Sequence, residues 1–252
     1  MSEIQNSVVI TGGNRGIGIG ITESFLEAGY KVIVGARTKG DLESLTTKNI
    51  IFHAMDVRDE LAHQELAKIA INSTGRLNVW INNAGVSSWK PINLIDDSFF
   101  DQLMDVNLKG AFWGCKAAAK VMTKTGGSII NISSLAGKRG SANNAMYCAT
   151  KFGMNGLTQS LAKELGPQKI RVNALCPVLI KTEGLMKALK SDYSPAKGEP
   201  DSFIKKFCDA NSALGVLPSG EDVGQLALFL ASEKNKAVTG QCINVDCGVF
   251  PQ

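Results

Sequence analysis

The chain is predicted to fold as an α/β protein with a doubly wound parallel sheet of seven strands and helices on both faces. Two observations predict this fold class. Short apolar runs of strand length alternate with longer segments of helical periodicity along the 252 residues. A glycine-rich turn also separates the first apolar run from the first helical segment. Alternation of this kind indicates βαβ crossovers, which place helices on both faces of a parallel sheet.

The predicted elements follow one another with short turns between them. The predicted strands are Ser7 to Thr11, Lys31 to Ala36, Ile50 to Met55, Asn78 to Asn82, Ser128 to Ile132, Ile170 to Leu175 and Gln241 to Val245. Helical periodicity runs through Phe25, Leu26 and Ala28, and covers Asp41 to Thr47, Glu60 to Ser73, Phe99 to Met122, Ala145 to Leu165 and Glu221 to Ala231. The segment from Thr182 to Gly220 is predicted to be irregular because it contains several prolines and glycines.

Composition limits the classes of function. The net charge of +4 is small and no basic block suits a phosphate backbone, so nucleic acid is not an expected partner. Residues 1–5 do not resemble a signal peptide, and no apolar run approaches the roughly 20 residues of a membrane span. We therefore expect a cytoplasmic protein without a membrane partner. No repeat or linker divides the chain, which predicts a single domain over residues 1–252.

The six cysteines show no Cys-x-x-Cys pair. Without a secretory signal, reduced thiols are the default state, and no metal site is expected. Cys148 and Cys176 flank predicted site residues, but neither has an obvious activating base. Both are therefore interpreted as packing residues.

The first glycine turn has the pattern of a dinucleotide-binding, or Rossmann, βα unit. Gly12 permits the tight turn, Gly16 lets the backbone approach a pyrophosphate at the helix N-terminus, and Gly18 allows close packing of helix on strand. The spacing is Gly-x-x-x-Gly-x-Gly, not the commoner Gly-x-Gly-x-x-Gly. On its own this turn is also compatible with an ordinary βα connection.

A second motif places a phenol, an amine and a hydroxyl within reach of one another. Tyr147 and Lys151 are four residues apart on a predicted helix and therefore share one face. A neighbouring cation lowers the pKa of a phenol, which is otherwise about 10. With Ser134 alongside to bond a substrate oxygen, the group could transfer a proton to or from an alcohol or carbonyl. Tyr-x-x-x-Lys alone is common and carries no function by itself.

The motifs together resemble those of the short-chain dehydrogenase/reductases (SDRs), in their single-domain branch, and are similar to members of the 3-oxoacyl-carrier-protein reductase type. They occur in the order and at the spacing of that family from residue 7 to residue 248. The matching motifs are Thr11-Gly12-x-x-x-Gly16-x-Gly18, Asn82-Asn83-Ala84-Gly85, Asn107 in Asp105-Val106-Asn107-Leu108, Ser134, Tyr147-x-x-x-Lys151, and Pro177 with Thr182.

The resemblance implies a catalytic role for four residues. Tyr147 would be the general acid in reduction, or the base in oxidation, and Ser134 would hold the substrate oxygen. Lys151 would lower the pKa of Tyr147 and bind the nicotinamide ribose. Asn107 would support a water that relays protons from Lys151 to solvent.

The resemblance also implies a cofactor-binding set along the carboxyl edge of the sheet. Its residues are Gly12, Asn14, Arg15, Gly16, Ile17, Gly18, Arg37, Asp56, Val57, Asn83, Ala84, Gly85, Tyr147, Lys151, Pro177, Ile180 and Thr182. Asp56 and Val57 would flank the adenine, Asn83 to Gly85 would line the adenosine side, and Ile180 with Thr182 would hold the carboxamide. Read singly, Asp56 could instead be a helix cap, and Asn82-Asn83 a turn pair.

The charge pattern predicts NADP(H) as the cofactor. A site selective for NAD places a carboxylate at the end of the second strand, but this strand ends Ala36-Arg37 and the first carboxylate is Asp41. Arg37 and Arg15 are placed to face a 2′-phosphate, for which arginine offers a bidentate fork. The alternative is that Arg37 is a solvated surface residue.

The expected function is therefore an NADP(H)-dependent oxidoreductase acting on a carbonyl or secondary alcohol. An NAD-dependent sugar or secondary-alcohol dehydrogenase and a non-catalytic, cofactor-sensing protein are the alternatives.

One departure from the SDR pattern is Val178, where the family usually has glycine after Pro177. Residues 182–220 would form the substrate-binding lid, in which Lys187 and Lys190 would share a helix face and attract an anionic substrate, unless they are only solvated.

Apolar residues on the two long helices predict a homotetramer, with a dimer as the second choice. They are Ala111, Phe112, Ala117, Ala118 and Val121 on the first helix, and Met154, Leu157 and Leu161 on the second.

Overall fold

The computed structural model describes residues 5–45 and 47–251 and contains the predicted parallel sheet. Its seven strands lie in the order β3-β2-β1-β4-β5-β6-β7, and every neighbouring pair is parallel. The strands are β1 Ser7–Thr11, β2 Lys31–Ala36, β3 Ile50–Ala54, β4 Val79–Asn82, β5 Gly127–Ile132, β6 Ile170–Pro177 and β7 Cys242–Val245. The chain order reverses between β1 and β4, which opens a crevice at their carboxyl ends.

The described residues contain eight α-helices. They are α1 Ile17–Glu27, α2 Glu60–Thr74, α3 Asp97–Leu103, α4 Gly110–Met122, α5 Ala145–Leu165, α6 Glu183–Leu189, α7 Pro200–Asn211 and α8 Gly220–Ala231. Of these, α1 and α8 cover one face of the sheet, and α2, α4 and α5 cover the other. Within residues 5–45 and 47–251, none of the helices is long and apolar enough to cross a membrane. The prediction that residues 1–5 are not a signal peptide falls mainly on residues 1–4, which lie outside the described residues.

The alternation of side chains along the strands produces one apolar core on each face of the sheet. Val8 and Ile10 of β1 pack on the face covered by α1 and α8, whereas Val9 packs on the face covered by α2, α4 and α5. All three side chains are fully buried. The prediction of helices on both faces is therefore confirmed.

The prediction of one continuous helix from Phe99 to Met122 was wrong in detail. Helix α3 begins earlier because the Asp96 carboxylate accepts the Phe99 N–H at 2.8 Å. The helix then widens into a π-helical turn over Met104–Lys109 before α4 continues. Such turns are frequent at functional sites, and this one contains Asn107.

The prediction of an irregular segment from Thr182 to Gly220 was also wrong, because the segment contains α6 and α7. The Thr182 hydroxyl caps α6 by accepting the Leu185 N–H at 3.2 Å. Pro200 occupies the first turn of α7, where its missing N–H costs no hydrogen bond. The predicted helix from Asp41 to Thr47 is a short 3₁₀ helix, Gly40–Ser44, and Thr46 lies outside the described residues.

The segment 182–220 has its own apolar cluster. Trp89, on the loop after β4, is 7% exposed and packs with Leu189 and Ala196. Phe203 and Ile204 of α7 pack against the same cluster. The two helices are therefore joined to each other and to the loop after β4 by an apolar contact separate from the two main cores.

Part of the apolar set predicted to form a subunit interface belongs to the core of the chain. Ala111, Ala117, Ala118 and Met154 are each at most 5% exposed. Phe112 is 43% exposed and remains available at the surface. The helical periodicity was interpreted correctly, but alanine at these positions serves close packing of α4 on the sheet.

A buried histidine joins α2 to the loop after β3. His63 Nε2 donates to the Val57 carbonyl at 2.8 Å, so Nδ1 is unprotonated, and Nδ1 has no hydrogen-bond partner. Burial lowers the pKa of His63, although the Val57 carbonyl and the carboxylates of Asp59 and Glu60 act in the opposite direction. The folded chain therefore favours the neutral imidazole.

We expect the free energy of unfolding to decrease as the pH falls below about 6.5, because the unfolded chain then binds a proton that folded His63 excludes. His63→Gln retains an N–H donor for the Val57 carbonyl but cannot titrate, so its stability should depend less on pH. Urea unfolding at pH 7.5 and pH 5.5, at one protein concentration, measures the difference. Equal pH dependence of the wild-type protein and of His63→Gln would contradict the assignment of this effect to His63. His53→Gln is the control for the loss of a histidine elsewhere in the chain.

Candidate functional site

The glycine turn after β1 approaches the loop after β4 very closely. Gly12 has φ +63°, and a Cβ there would lie 3.0 Å from the Ala84 Cα. A Cβ on Gly18 would lie 2.0 Å from the Gly12 carbonyl oxygen. No side chain larger than hydrogen fits at either position. The tight turn predicted at Gly12 agrees with its positive φ, and the close packing predicted at Gly18 agrees with the lack of space for a Cβ there.

The start of α1 has no side-chain cap, although the Ile19 N–H already donates to the Arg15 carbonyl at 3.3 Å. Gly16, at the N-cap position with φ +57°, has no side chain to cap the helix, and the first turn at Ile17 contains no acidic residue. A helix N-terminus of this kind presents N–H donors and a positive dipole end. A pyrophosphate is the chemical group that fits these donors, so the turn could hold a dinucleotide.

Asn83 holds this turn in place. Its Nδ2 donates to the carbonyl oxygens of Thr11 at 3.0 Å and Gly12 at 2.9 Å. In return the Thr11 hydroxyl oxygen accepts the N–H groups of Asn83 at 3.1 Å and Ala84 at 3.2 Å. The side chain of Asn83 is thus engaged inside the protein. What remains to line the crevice is the backbone of this loop with Ala84 and Gly85.

The cations that the sequence indicated are two arginines, Arg37 directly after β2 and Arg15 in the glycine turn. Arg15 and Arg37 are both exposed, and neither takes part in an ion pair among the described residues. Asn14 is 5% exposed and joins the two segments, because its Nδ2 donates to the Thr38 carbonyl at 3.0 Å and its own carbonyl accepts the Asp41 N–H at 3.0 Å. The glycine turn is therefore tied to the residues that follow β2.

Asp56 lies at the end of β3, close to this cationic region. Its carboxylate accepts Arg58 Nε at 3.0 Å and Nη2 at 2.7 Å. The hydrogen bond from Arg58 lowers the pKa of Asp56, and the charge of Arg37 adds a smaller effect in the same direction. The alternative that Asp56 caps a helix was wrong, since Asp59 caps α2. Val57 is held by His63, as described above.

Ser134, Tyr147 and Lys151 are brought together beyond the carboxyl end of β5. The Ser134 hydroxyl hydrogen-bonds the Tyr147 phenol, and its oxygen also accepts the Ala136 N–H at 3.0 Å. Lys151 Nζ lies 5.6 Å from the centre of the Tyr147 ring. The ammonium is buried and donates to the Ile132 carbonyl at 2.8 Å. The predicted sharing of one helix face is confirmed.

The electrostatic expectation for Tyr147 was wrong for the structure described. Burial raises the pKa of Tyr147 to about 12, and the hydrogen bond from Ser134 only partly opposes it. Burial also lowers the pKa of Lys151 to about 8, which weakens it as a permanent cation. The ammonium points at the Ile132 carbonyl and not at the phenol oxygen. The protein therefore favours a protonated phenol, the form that can donate a proton.

Asn107 occupies the π-helical turn behind these residues. It is fully buried, its Oδ1 accepts the Val86 N–H at 2.8 Å, and its Nδ2 donates to the Val86 carbonyl at 2.9 Å and the Thr150 hydroxyl at 3.3 Å. A Cβ on Gly85 would lie 3.4 Å from Asn107 Oδ1 and 3.8 Å from Lys151 Nζ. Asn107 therefore lies near Lys151, but its side chain is already engaged in fixing the loop after β4.

The predicted nicotinamide side is built by the segment after β6. Pro177 is buried at the end of the strand, and Ile180 is 6% exposed and part of the main core. A Cβ on Gly16 would lie 3.4 Å from the Thr182 methyl carbon, so this segment returns to the glycine turn. Val178 donates its N–H to the Val245 carbonyl at 3.2 Å, and its φ is not positive. No glycine is needed at Val178 for the backbone to follow this path.

The two cysteines near the site are free and buried. Burial raises the pKa of Cys176 to about 11, which disfavours the reactive thiolate. The interpretation of Cys176 as a packing residue agrees with this. No group of three or more His, Cys, Asp or Glu side chains within the described ranges could hold a metal ion.

A buried polar network beneath the site was not predicted. Asn82 of β4 and Asn131 of β5 are paired in register, and Asn82 Nδ2 donates to Asn131 Oδ1 at 2.8 Å. Trp80 Nε1 donates to Asn82 Oδ1 at 2.7 Å, and Asn131 Nδ2 donates to the Thr158 hydroxyl of α5 at 2.9 Å. Asparagine inside two otherwise apolar strands was the available sequence signal, because a buried amide requires partners.

Lysines in the segment 182–220 and directly before it are either paired with carboxylates or exposed. Lys181 pairs with Asp201 at 2.7 Å, and Lys205 pairs with Asp209 at 2.7 Å. Lys187 lies in the last turn of α6 and Lys190 follows its end, both exposed. These positions favour the solvated interpretation over an anion-binding face.

Comparison with known proteins agrees with this geometry. The sequence model of the family described as "Enoyl-(Acyl carrier protein) reductase" matches residues 12–250. The chain is 32% identical to the 3-oxoacyl-[acyl-carrier-protein] reductase FabG of Chlamydia muridarum, over 98% of each chain. It is 33% identical to L-2,3-butanediol dehydrogenase of Corynebacterium glutamicum, over 96% of this chain and 97% of that protein.

A solved structure, ElxO with NADP bound, superimposes with a TM-score of 0.86 at 32% identity and covers 98% of this chain and 100% of that chain. The matches extend along nearly the full length in each case and so span the glycine turn and the segment from Ser134 to Lys151. The chain therefore belongs to the short-chain dehydrogenase/reductase superfamily, as a single-domain oxidoreductase that resembles the 3-oxoacyl-acyl-carrier-protein reductases.

Proposed function

We propose that the protein is an NADP(H)-dependent oxidoreductase that transfers a hydride between the nicotinamide and a carbonyl or secondary alcohol. The observation that carries this proposal is the contact of the Ser134 hydroxyl with the Tyr147 phenol, with the Lys151 ammonium across the phenol ring. These groups lie at the same edge of the sheet as the glycine turn. The bound nicotinamide would supply the hydride, and the residues supply position and the proton.

In the direction of reduction, Tyr147 donates a proton to the substrate oxygen while Ser134 holds that oxygen by a hydrogen bond. The phenol is protonated at neutral pH, which is the form that a general acid needs, while burial, which raises its pKa to about 12, makes it a weaker acid than a free phenol. Lys151 uses one N–H on the Ile132 carbonyl and has two further N–H groups for the ribose hydroxyls. Asn107 keeps the loop after β4 against Lys151. The segment 182–220 would cover the substrate.

Tyr147→Phe should lower kcat by about a hundredfold or more, because the proton donor is lost while packing is retained. Binding of the cofactor, followed by fluorescence titration, should persist. Lys151→Ala should reduce both kcat and cofactor affinity. Tyr30→Phe, a hydroxyl removed outside the site, serves as the control. A Tyr147→Phe enzyme that retains more than about a tenth of the parental rate would exclude Tyr147 as the acid.

Selectivity for NADP(H) is supported by the charges around the ends of β2 and β3. Arg15 and Arg37 are exposed and free of ion pairs among the described residues, and β2 is not followed by a carboxylate until Asp41. Arg37 is close enough to Asp56 to affect its pKa, so the cation lies toward the proposed adenine position. A structural relative, ElxO, contains NADP.

We expect kcat/KM for NADPH to exceed that for NADH at least tenfold, a difference of about 1.4 kcal/mol. Arg37→Asp should reverse or abolish the preference, because the carboxylate repels a 2′-phosphate and accepts a ribose hydroxyl. Lys68→Asp makes the same change of charge on α2 and should leave the preference as it was. Equal efficiency of the wild-type enzyme with both cofactors would contradict the proposal.

An NAD-dependent sugar or secondary-alcohol dehydrogenase is the second candidate. The similarity to an L-2,3-butanediol dehydrogenase favours it, since that name describes oxidation of a secondary alcohol. The cofactor comparison above separates the two candidates. A purely cofactor-sensing protein is the least favoured, because Ser134, Tyr147 and Lys151 are all present and assembled.

We further propose a cytoplasmic homotetramer, with a dimer as the second choice. A groove on the outer side of α4 and α5 is lined by apolar residues, among them Leu108, Phe112 and Leu157. Phe112 is 43% exposed and the nearby Phe152 is 48% exposed. Exposed apolar patches of this kind often mark protein interfaces.

Light scattering at micromolar concentration should give a mass several times that of the chain. Phe112→Glu should lower that mass, because a carboxylate would have to be buried in the interface. Leu61→Glu, on the exposed side of α2, should have no effect. A monomeric wild-type protein would refute the proposed assembly.

A further inference from the structure

Both ends of the segment 182–220 lie at the glycine turn. A Cβ on Gly16 would lie 3.4 Å from the Thr182 methyl carbon, and a Cβ on Gly220 would lie 3.3 Å from the Gly16 carbonyl oxygen. The segment therefore leaves the proposed cofactor side of the crevice and returns to it. The contacts of its middle part decide how the crevice is covered.

The middle of the segment 182–220 is attached to the connection between Ser134 and Tyr147. Asn143 lies in this connection, four residues before Tyr147 and just before α5 begins. Its Nδ2 donates to the Tyr193 carbonyl at 3.1 Å. The segment thus extends from the glycine turn to the side of the crevice that holds the catalytic residues.

The backbone of Asn143 joins a third part of the chain to the same point. Its carbonyl accepts the Lys90 N–H at 2.7 Å. Trp89, the residue before Lys90, belongs to the apolar cluster of the segment 182–220 described above. These contacts form a closed ring, because Asn143 holds Lys90 by its backbone and Tyr193 by its side chain, and both partners adjoin the same cluster.

The Tyr193 carbonyl belongs to a turn that is held by its own hydrogen bonds. Ser194 is 3% exposed, and its hydroxyl donates to the Leu189 carbonyl at 2.7 Å and accepts the Ala196 N–H at 3.2 Å. The Tyr193 N–H donates to the Ser191 hydroxyl oxygen at 3.3 Å. The turn therefore presents the Tyr193 carbonyl in a fixed direction.

The backbone conformation of Asn143 does not by itself explain this side chain. Its φ of +58° is in the left-handed region, where residues other than glycine are uncommon and asparagine is tolerated better than most. Glycine would satisfy this requirement equally well. It does not account for an amide that donates to a carbonyl 50 positions away along the chain.

We infer that Asn143 is a positioning residue whose side-chain amide latches the segment 182–220 over the substrate. The inference rests on the proposed function, since it names what holds the cover closed beside Ser134 and Tyr147. The amide takes no part in hydride or proton transfer. Without it the reacting groups stay in place but the segment opens more easily, so substrate binding has to supply the free energy of closure. KM for the carbonyl substrate then rises while kcat changes little.

Two substitutions separate the latch from the conformation of the turn. Asn143→Gly removes the amide, adopts a positive φ freely and leaves the backbone carbonyl for Lys90. Asn143→Asp keeps the shape and the tolerance of a positive φ, but it places a carboxylate oxygen against the Tyr193 carbonyl, which repels it. Opening should therefore be easier in Asn143→Gly than in the wild type, and easiest in Asn143→Asp. A residue needed only for its φ would be matched by both substitutions.

Hydrogen–deuterium exchange of the purified full-length protein measures the latch without any turnover. The amide protons of residues 191–197 exchange when their turn opens, and that opening breaks the bond from Asn143. In Asn143→Gly they should exchange about fivefold faster, the effect of one neutral hydrogen bond, and in Asn143→Asp faster still. Lys169→Gly is the matched control and should leave this exchange unchanged, because Lys169 is an exposed residue with φ +59° at the amino-terminal end of β6.

The kinetic measurement uses the preferred cofactor and a ketone that the wild-type enzyme reduces, with ethyl acetoacetate as the first probe. KM for the ketone should rise about fivefold in Asn143→Gly and further in Asn143→Asp, whereas kcat should stay within about twofold of the wild-type value. Lys169→Gly should give the wild-type values of both constants. A fall in kcat with unchanged KM would overturn the inference, since it would assign Asn143 to the geometry of the reacting groups.

Unchanged exchange of residues 191–197 in both Asn143 variants would show that the amide is no latch. Faster exchange with an unchanged KM would overturn its assignment to substrate binding. Wild-type protein that reduces no carbonyl with either cofactor would instead reject the proposed function, and the exchange measurement would still decide whether the amide holds the segment 182–220.

Discussion

The hydrogen bonds of Asn83 to the carbonyl groups of Thr11 and Gly12 are the interaction on which the rest of the structure depends. They join the carboxyl ends of β1 and β4 at the point where the strand order reverses. The glycine turn can approach this loop only because Gly12 and Gly18 have no side chain. Once the loop is fixed, Val86 is in place to bond Asn107, and Asn107 in turn lies near Lys151. The two halves of the site are thereby connected through the backbone of a single loop.

Much of the fold could be predicted from the sequence because strand and helix periodicities are strong and local. The strands and α5 follow from periodicity, and the shared helix face of Tyr147 and Lys151 follows from their spacing. The place of Ser134 beside them was implied by the resemblance to the SDRs. The π-helical turn at Asn107 could not be predicted, since it depends on hydrogen bonds to Val86, which is 21 residues away along the chain. The helix that begins at Pro200 was not predicted either, because proline can end a helix or begin one, and the local sequence does not show which.

Electrostatics was the least predictable part of the site. The sequence places Lys151 one turn after Tyr147, which suggests an activated phenolate. It does not show that the ammonium is buried and bonded to the Ile132 carbonyl. Burial acts on both groups in the direction of the neutral form, so it raises the pKa of the phenol and lowers the pKa of the amine. The protonation states of Tyr147 and Lys151 are thus properties of the assembled pocket and do not follow from the spacing of the two residues.

The small cluster around Trp89 has a consequence for how this protein could diverge from its relatives. Leu189 of α6 packs with Trp89, and Phe203 and Ile204 of α7 pack against the same cluster, so the contacts of the two helices are largely separate from the two cores that hold the sheet. Mutations in these two helices can accumulate without unfolding the sheet, provided the indole keeps its neighbours. The segment is then a module that evolution can replace, or a protein engineer can graft, while the sheet and the arrangement of Ser134, Tyr147 and Lys151 are kept.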